Sequence, residues 1–539
     1  MLFAEVLQKT RAEVGDRVAY VTADGWPVTY RDLDQLSDEA AVGLARLGVR
    51  EGDVVGIAMP SNVDFVVTYA ALDKLGACAA GVNPFLMARE RKGALETATP
   101  RFVIATRALT DGVPDGVAVI EVDVATRAEE ILRGLRVNNE APPVLAVDLD
   151  RKSAIVFTSG STGLPKGALF RERQMRAIFD LDNGGGAGYT GTAHSIAATQ
   201  WAHVGGMTKL PWMLSGGGTT HLMHKWRAAT VLDYTSRYRM PALNAGPSQV
   251  ALMLRQPDLD QYDFSSVKAI IAGMGPSSPG LILEARERFQ AAYSVRYSST
   301  ESGGVGCATA LDAPDEEALY TVGRPRPFVE CKVADNDGNE LPVGEIGEML
   351  VRHQGVMAEY YNNPEETART LVGGWLRTGD LGVKDDRGCF RVAGRIKEMF
   401  IRGGYKIYPV EVEKVLSEHP KVHEIAVIPR PDDVMGEIGV AVVVARDPAD
   451  PPSLEELRSF AEAKLARYKL PERIRYDAEI PMNSSYKVDR LLLKAREGTE
   501  PSDGARRPES TEPSDGARRP ESTEPSDGAR RPESTEPSA

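Results

Sequence analysis

The chain is poor in cysteine: 539 residues contain four, Cys78, Cys307, Cys331 and Cys389, which lie far apart in the sequence and form no CxxC pair. That spacing argues against a cysteine metal cluster or a disulfide framework and fits a reducing compartment. Long hydrophobic runs are also missing. The most apolar stretch near the start, VDFVVTYAALDKLGACAAGV (63–82), is broken by Asp73 and Lys74, so no transmembrane segment is expected. Charges begin at Glu5, leaving no apolar signal-peptide core, and a cytoplasmic location is the expectation. There is no basic excess either. Lys and Arg number 64 against 77 Asp and Glu, a net charge of −13, which gives no broad electrostatic reason to bind nucleic acid or an anionic membrane. With 42% hydrophobic and 6% aromatic residues the composition is that of a globular protein, and its length favours two or more domains.

From Glu500 the sequence reads EPSDGARRPEST three times and ends EPSA, with no Leu, Ile, Val or aromatic residue. Ten acids and six arginines there account for −4 of the net charge and leave −9 on the rest. Such a repeat buries too little apolar surface to offset the entropy of ordering, so residues 498–539 are expected to be a disordered tail, solvated or used for docking.

The remainder reads as α/β. YRDLDQLSDEAAVGLARLGV (30–49) has apolar residues at helical spacing and a glycine stop at Gly48; DVVGIAMP (53–60) reads as a buried strand and NVDFVVTYAALDKLGA (62–77) as a helix. RFVIA, SAIVF and VKAIIAG are further short apolar runs. They predict largely parallel strands linked by helices in a large, layered body with mixed sheets. After residue 397 a small α+β domain is expected. YPVEVEKVLSEHP is read as a helix, EIAVI and VAVVVA as strands, and SLEELRSFAEAKLARY as a helix opened by Ser453 and Glu456 at capping-box spacing and ended before Pro471.

FTSGSTGLPKG (157–167) follows a strand-like run and combines three glycines, hydroxyl side chains and Lys166. Glycine lets backbone N–H groups approach an anion, hydroxyls add donors and the lysine adds charge, so the composition suits phosphate. It is not a Walker A loop, because Lys166 precedes a glycine instead of following one. By composition alone a flexible surface linker would look the same.

The segment TSGSTGLPKG resembles the signature loop of the adenylate-forming superfamily, which includes acyl-CoA synthetases, adenylation domains of peptide synthetases and beetle luciferases. Further blocks follow in that family's order: YSSTESG (297–303), GWLRTGDLG (374–382), GRIKEMFIRGGYKIYPVEVE (394–413) and PMNSSYK (481–487). The resemblance spans nearly everything up to about residue 497 and implies an AMP-forming acid–thiol ligase that uses ATP, Mg²⁺ and coenzyme A. It implies a large domain over 1–394, a hinge at 395–397 centred on Lys397, and a small domain over 398–497.

On this resemblance Thr158, Ser159, Gly160, Ser161, Thr162, Gly163 and Lys166 would hold the ATP phosphates. Glu301, with Thr158, would hold Mg²⁺, as a hard cation prefers carboxylate and phosphate oxygens. Thr300 would reach the α-phosphate, Tyr297 and Ser298 would belong to the nucleotide site, and Asp380 and Arg395 would face the ribose. Lys487 would neutralise charge during adenylation; the strand containing Gly403, Gly404 and Tyr405 would face the site in the thioester-forming pose. His203, Val204, Met207, Gly273, Met274, Gly275, Ser299 and Gly303 would line the acyl pocket. QWAHVGGM (200–207) lacks the aspartate expected of an amino-acid-activating member, which points to a fatty, alicyclic or aryl acid. Two departures stand out. Tyr297–Ser298 replaces an aromatic–glycine pair, and Tyr486 replaces the glycine before the terminal lysine. The implied partners are the carboxylic acid and CoA, with a homodimer left open; an enzyme loading a carrier protein in trans is the alternative.

Overall fold

The computed structural model describes residues 2–158, 165–184, 193–197, 200–482 and 488–499. Met1–Lys494 form one compact unit.

At the centre is a seven-stranded sheet. Val54–Ala58 lies between Cys78–Gly81 and Phe102–Thr106; Ala118–Val122 follows Phe102–Thr106, and Lys152–Thr158 follows Cys78–Gly81, all parallel. The sheet then turns antiparallel through Lys166–Arg171 and Glu359–Tyr360. All five residues of Val54–Ala58 are buried, as expected for a strand covered on both faces. Helix Tyr30–Arg46 starts where the pattern placed it, because Thr29 and Asp32 form a reciprocal capping box. Helix Val63–Lys74 is buried all round, which explains its apolar run. The two charges that broke that run are satisfied inside: Lys74 Nζ sits 2.7 Å from Asp34 and 2.6 Å from Asp38, and Asp73 Oδ2 accepts from the Ala4 amide at 2.9 Å.

Ala242–Ala245, Ala269–Ala272 and Ala292–Tyr297 form a second parallel set that continues antiparallel into Cys307–Ala308 and Arg324–Pro325. An antiparallel sheet joins Glu330–Ala334, Gly347–Arg352, Trp375–Lys384 and Phe390–Arg395. The last sheet pairs Val422–Asp432, Gly436–Ala445 and Arg473–Tyr476 with the hairpin Phe400–Arg402/Tyr405–Ile407. Its cores, including Phe400, Val412, Leu416, Ala441 and Leu457 on one face and Ile428, Val442 and Leu493 on the other, draw only on residues after 399. The fold is thus a large mixed α/β body with a smaller carboxy-terminal domain.

One expectation needs correction. The helix begun by the Ser453 box ends at Glu462 and not near Tyr468. Arg467–Lys469 instead form a 3-10 turn that stacks Tyr468 on Tyr405 at 4.5 Å and buries Leu470, so tertiary packing overrides helical propensity. Cys307 and Cys331, separated in the sequence, bring their sulfurs to 3.5 Å as free thiols.

Candidate active site

The strand register sets the first group of site residues. Asp380 and Arg395 face each other across the ladder of Trp375–Lys384 and Phe390–Arg395. Arg395 Nε donates to Asp380 Oδ1 at 2.7 Å, and the Tyr297 hydroxyl donates to Asp380 Oδ2 at 2.8 Å. Burial first, and then the Asp380 charge, push the Tyr297 phenol well above its ordinary pKa, so it remains a donor. The turn before Asp380 is held from the neighbouring strand: Glu348 accepts from the Gly379 amide at 2.9 Å and from Arg377, and Thr378 donates to the Met349 carbonyl at 2.7 Å. A buried carboxylate fixed by two donors and one strand register is a preorganised acceptor.

Thr300 and Glu301 lie in the turn just after strand Ala292–Tyr297. Ser299 and Ser302 brace it by exchanging bonds between amide and hydroxyl at 3.0 and 3.1 Å. Glu301 Oε1 accepts from the Tyr360 hydroxyl at 2.7 Å, and among the described residues Oε2 accepts no hydrogen bond. Burial, with Glu301 next, raises the Tyr360 pKa. Lys166 stands 4.9 Å over the Tyr360 ring and pairs with Glu366; that lysine is the main cause of Glu366's lowered pKa. Thr158 is the strand partner of Lys166 at the mouth of the phosphate-type loop. Glu301, Tyr360, Lys166 and Glu366 therefore form one connected group, to which the sequence pointed only through Glu301 and Lys166. Tyr360 and Glu366 carried no motif; their role appears only when the strand Glu359–Tyr360 joins the sheet edge. Among the described residues no group of three or more His, Cys, Asp or Glu could hold a metal. One carboxylate oxygen left without a donor, on a residue linked through Tyr360 to Lys166, still fits Mg²⁺, which commonly takes one or two carboxylates and completes its shell with other oxygens.

Gly303 and Gly304 follow with φ of +62° and +73°. A Cβ on Gly303 would fall 2.4 Å from Ile178 Cδ1 and 2.8 Å from the Gly355 carbonyl, so both conformation and space require glycine there. Val204 is beside Gly304. His203 caps the short helix Val204–Met207 and pairs through Nε2 with Asn83 Nδ2 at 3.2 Å. Met207 is completely buried in the core and accepts from the Tyr69 hydroxyl through its carbonyl at 2.8 Å. Gly273, Met274 and Gly275 follow strand Ala269–Ala272, with Met274 exposed at φ +70°. Ser298 is exposed.

Farther along, Lys397 is exposed in the turn after Arg395. Gly403 and Gly404 make the hairpin turn at φ +52° and +86°, presenting an exposed Tyr405. Ser159, Gly160, Ser161, Thr162, Gly163 and Lys487 lie outside the described residues. No helix among the described residues is long and apolar enough to cross a membrane.

Comparison with known proteins identifies the family. A family model for the AMP-binding enzyme matches residues 7–361, and one for the AMP-binding enzyme C-terminal domain matches 411–487. A feruloyl-CoA synthase from Amycolatopsis sp is 30% identical over 498 residues, covering 90% of this chain and 98% of that protein. The fatty acid–[acyl-carrier-protein] ligase ScoC from Streptomyces coeruleorubidus is 29% identical over 490 residues, covering 88% and 93%. The solved structure of the amide bond synthetase McbA from Marinactinospora thermotolerans superposes with a TM-score of 0.81 at 27% identity, covering 92% of this chain and 99% of that one.

Proposed function

The chain belongs to the AMP-binding enzyme family, and from that membership we propose that it joins a carboxylic acid to ATP as an acyl-adenylate and passes the acyl group to CoA, releasing pyrophosphate and AMP. The observation that carries this reading is the buried Asp380, held by Arg395 and by Tyr297, which precedes Glu301 by four residues. A fixed carboxylate acceptor suits the paired hydroxyls of a ribose. In this reading Thr300 and Lys166 donate to the phosphates, and Glu301 holds Mg²⁺, which supplies charge neutralisation at the phosphate oxygens. The acid's carboxylate attacks the α-phosphorus, the bond to pyrophosphate breaks, and Lys487 stabilises the charge that develops. The thiol then attacks the acyl carbon and AMP leaves. Lys397 is the hinge between two poses of the small domain, and the Gly403–Tyr405 turn faces the site in the second. The acid is fatty, alicyclic or aryl.

The carrier-protein ligase among the relatives favours one second reading, in which the adenylate is handed to a carrier thiol in trans. Purified full-length protein with ATP, Mg²⁺ and a panel of acids tests both. AMP release that requires CoA supports the first reading; release that requires a carrier protein and ignores CoA supports the second; no AMP release with either acceptor contradicts both.

A further inference from the structure

Next to the residues assigned above to the acyl pocket, the interior carries charge that it does not balance. Lys209, just after helix Val204–Met207, places Nζ 2.7 Å from Asp182 Oδ2. Arg326 donates through Nη1 to Asp182 Oδ1 at 3.0 Å and through Nη2 to the Leu181 carbonyl at 3.1 Å. One carboxylate therefore serves two cations, and all three side chains are largely covered, at 12%, 17% and 8% exposure for Lys209, Arg326 and Asp182. Arg296, beside Tyr297 at the end of its strand, adds a third positive charge. Among the described residues no carboxylate forms an ion pair with it. Burial first, and then repulsion from Arg326, hold its pKa below the ordinary arginine value, with Asp182 in partial opposition. Burial likewise lowers Lys209 against the pull of Asp182. His353, under the same cations, is pushed down to about 4, chiefly by burial, so it adds no charge at neutral pH.

This cluster abuts the glycine-lined space. A Cβ on Gly304 would stand 3.1 Å from Lys209 Cε and 3.5 Å from Val204 Cγ2, and one on Gly273 would stand 3.7 Å from Arg296 Cβ. Thr208, one residue before Lys209, donates to the Gly303 carbonyl at 3.2 Å. With glycine at 304 and 273, no side chain of either residue stands between the backbone and the stems of Lys209 and Arg296. A guanidinium cannot shed its proton at neutral pH, so two excess charges in a half-buried place call for an anion, and the arginine fork matches a carboxylate.

We propose that Lys209, Arg326 and Arg296 form an anion subsite in the wall of the acyl pocket, and that the acid this enzyme activates is a dicarboxylic acid whose second carboxylate sits there. The inference rests on the acid-activating reading above and names the substrate class. One carboxylate is adenylated and the other is held by the cations. A monoacid brings an apolar terminus to this group and leaves the charges uncompensated.

The test uses the full chain with ATP, Mg²⁺ and CoA, and a length series of α,ω-dicarboxylic acids, each against the monoacid of equal carbon count, with a matched aryl pair. At the fitting length the diacid should exceed the monoacid by about 10- to 100-fold in kcat/KM, carried mainly in KM, the usual weight of a hydrogen bond to a charged group. Lys209→Met and Arg326→Leu should each bring that ratio towards unity, whereas Lys209→Arg should preserve it. Either single removal leaves Asp182 one cationic partner, and melting curves verify the fold. Wild-type enzyme that prefers monoacids throughout the series overturns the subsite and leaves the ligase reading standing. A diacid preference that survives both variants overturns the assignment to this cluster. AMP release with no acid at all overturns the ligase reading and the subsite together.

Discussion

Two buried charge clusters in the large body have opposite balance. Around Lys74, which is 3% exposed, two cations meet two acids: Lys74 contacts Asp34 and Asp38, and Arg11 reaches Asp34 at 2.8 Å. That set is neutral and ties together the helices Leu2–Val14, Tyr30–Arg46 and Val63–Lys74. Around Lys209, two cations share Asp182, and a third, Arg296, has no ion pair among the described residues. The difference teaches what each is for. A closed set satisfies itself and holds elements in place, whereas an open set beside a pocket is finished by something that enters. Two acids of helix Val63–Lys74 show the other way to remove an unbalanced charge. Burial raises Asp73 to about 7 and Asp64 to about 6, so their neutral forms are stabilised in the fold. Arginine has no such route at neutral pH.

Breaking the closed set should have the largest effect. Lys74→Met strands Asp38 and leaves Asp34 with Arg11 alone, and should remove about 3 kcal/mol of unfolding free energy, measured by chemical denaturation. A loss near zero would erase the distinction between the clusters. Next, Asp380→Ala deprives Tyr297 and Arg395 of their acceptor and should lower kcat/KM for ATP by about 10- to 100-fold with the fold intact; unchanged ATP kinetics would remove Asp380 from the site. The raised Asp73 pKa gives a smaller, pH-dependent effect. The folded state holds that proton more tightly than the unfolded chain, so its contribution is complete below about pH 4 and fades as pH rises towards about 7, at no more than about 1.4 kcal/mol per pH unit. Asp73→Asn keeps an acceptor for the Ala4 amide and should flatten that slope; an unchanged slope in denaturation curves across this range would show that Asp73 titrates normally. The smallest effect is expected from truncation after Gly498. The repeat offers no core-forming residue, so melting temperature and turnover should hardly move, and a collapse of either would contradict this.

How much was legible in the sequence follows from the range of each interaction. Helix starts such as the Ser453 box and buried strands such as Val54–Ala58 rest on neighbours a few residues apart, and pattern reading found them. Asp380 and Arg395 were found through resemblance, and the ladder then supplied the physical reason that they meet. Glu366 had no such signal, because it pairs with Lys166 across 200 residues. Lys209, Asp182, Arg296 and Arg326 were equally silent: each is an ordinary charge in its own segment, and only the packing of four segments shows that Asp182 pairs with two cations while Arg296 nearby has no acid partner among the described residues. The same holds for Cys307 and Cys331, whose contact depends on how two sheets are joined. The roles proposed for Lys487 and Ser159–Gly163, which lie outside the described residues, rest on sequence resemblance alone.

The most direct test of the central claim is ATP–pyrophosphate exchange with CoA withheld, comparing the fitting dicarboxylic acid with its monoacid counterpart. If the enzyme forms a reversible acyl-adenylate and the open cluster holds a second carboxylate, exchange requires acid, proceeds without thiol, and reaches half its maximum at a diacid concentration about 10- to 100-fold below that of the monoacid. Exchange that appears only when CoA is present, or that both acids drive at equal concentrations, would contradict it.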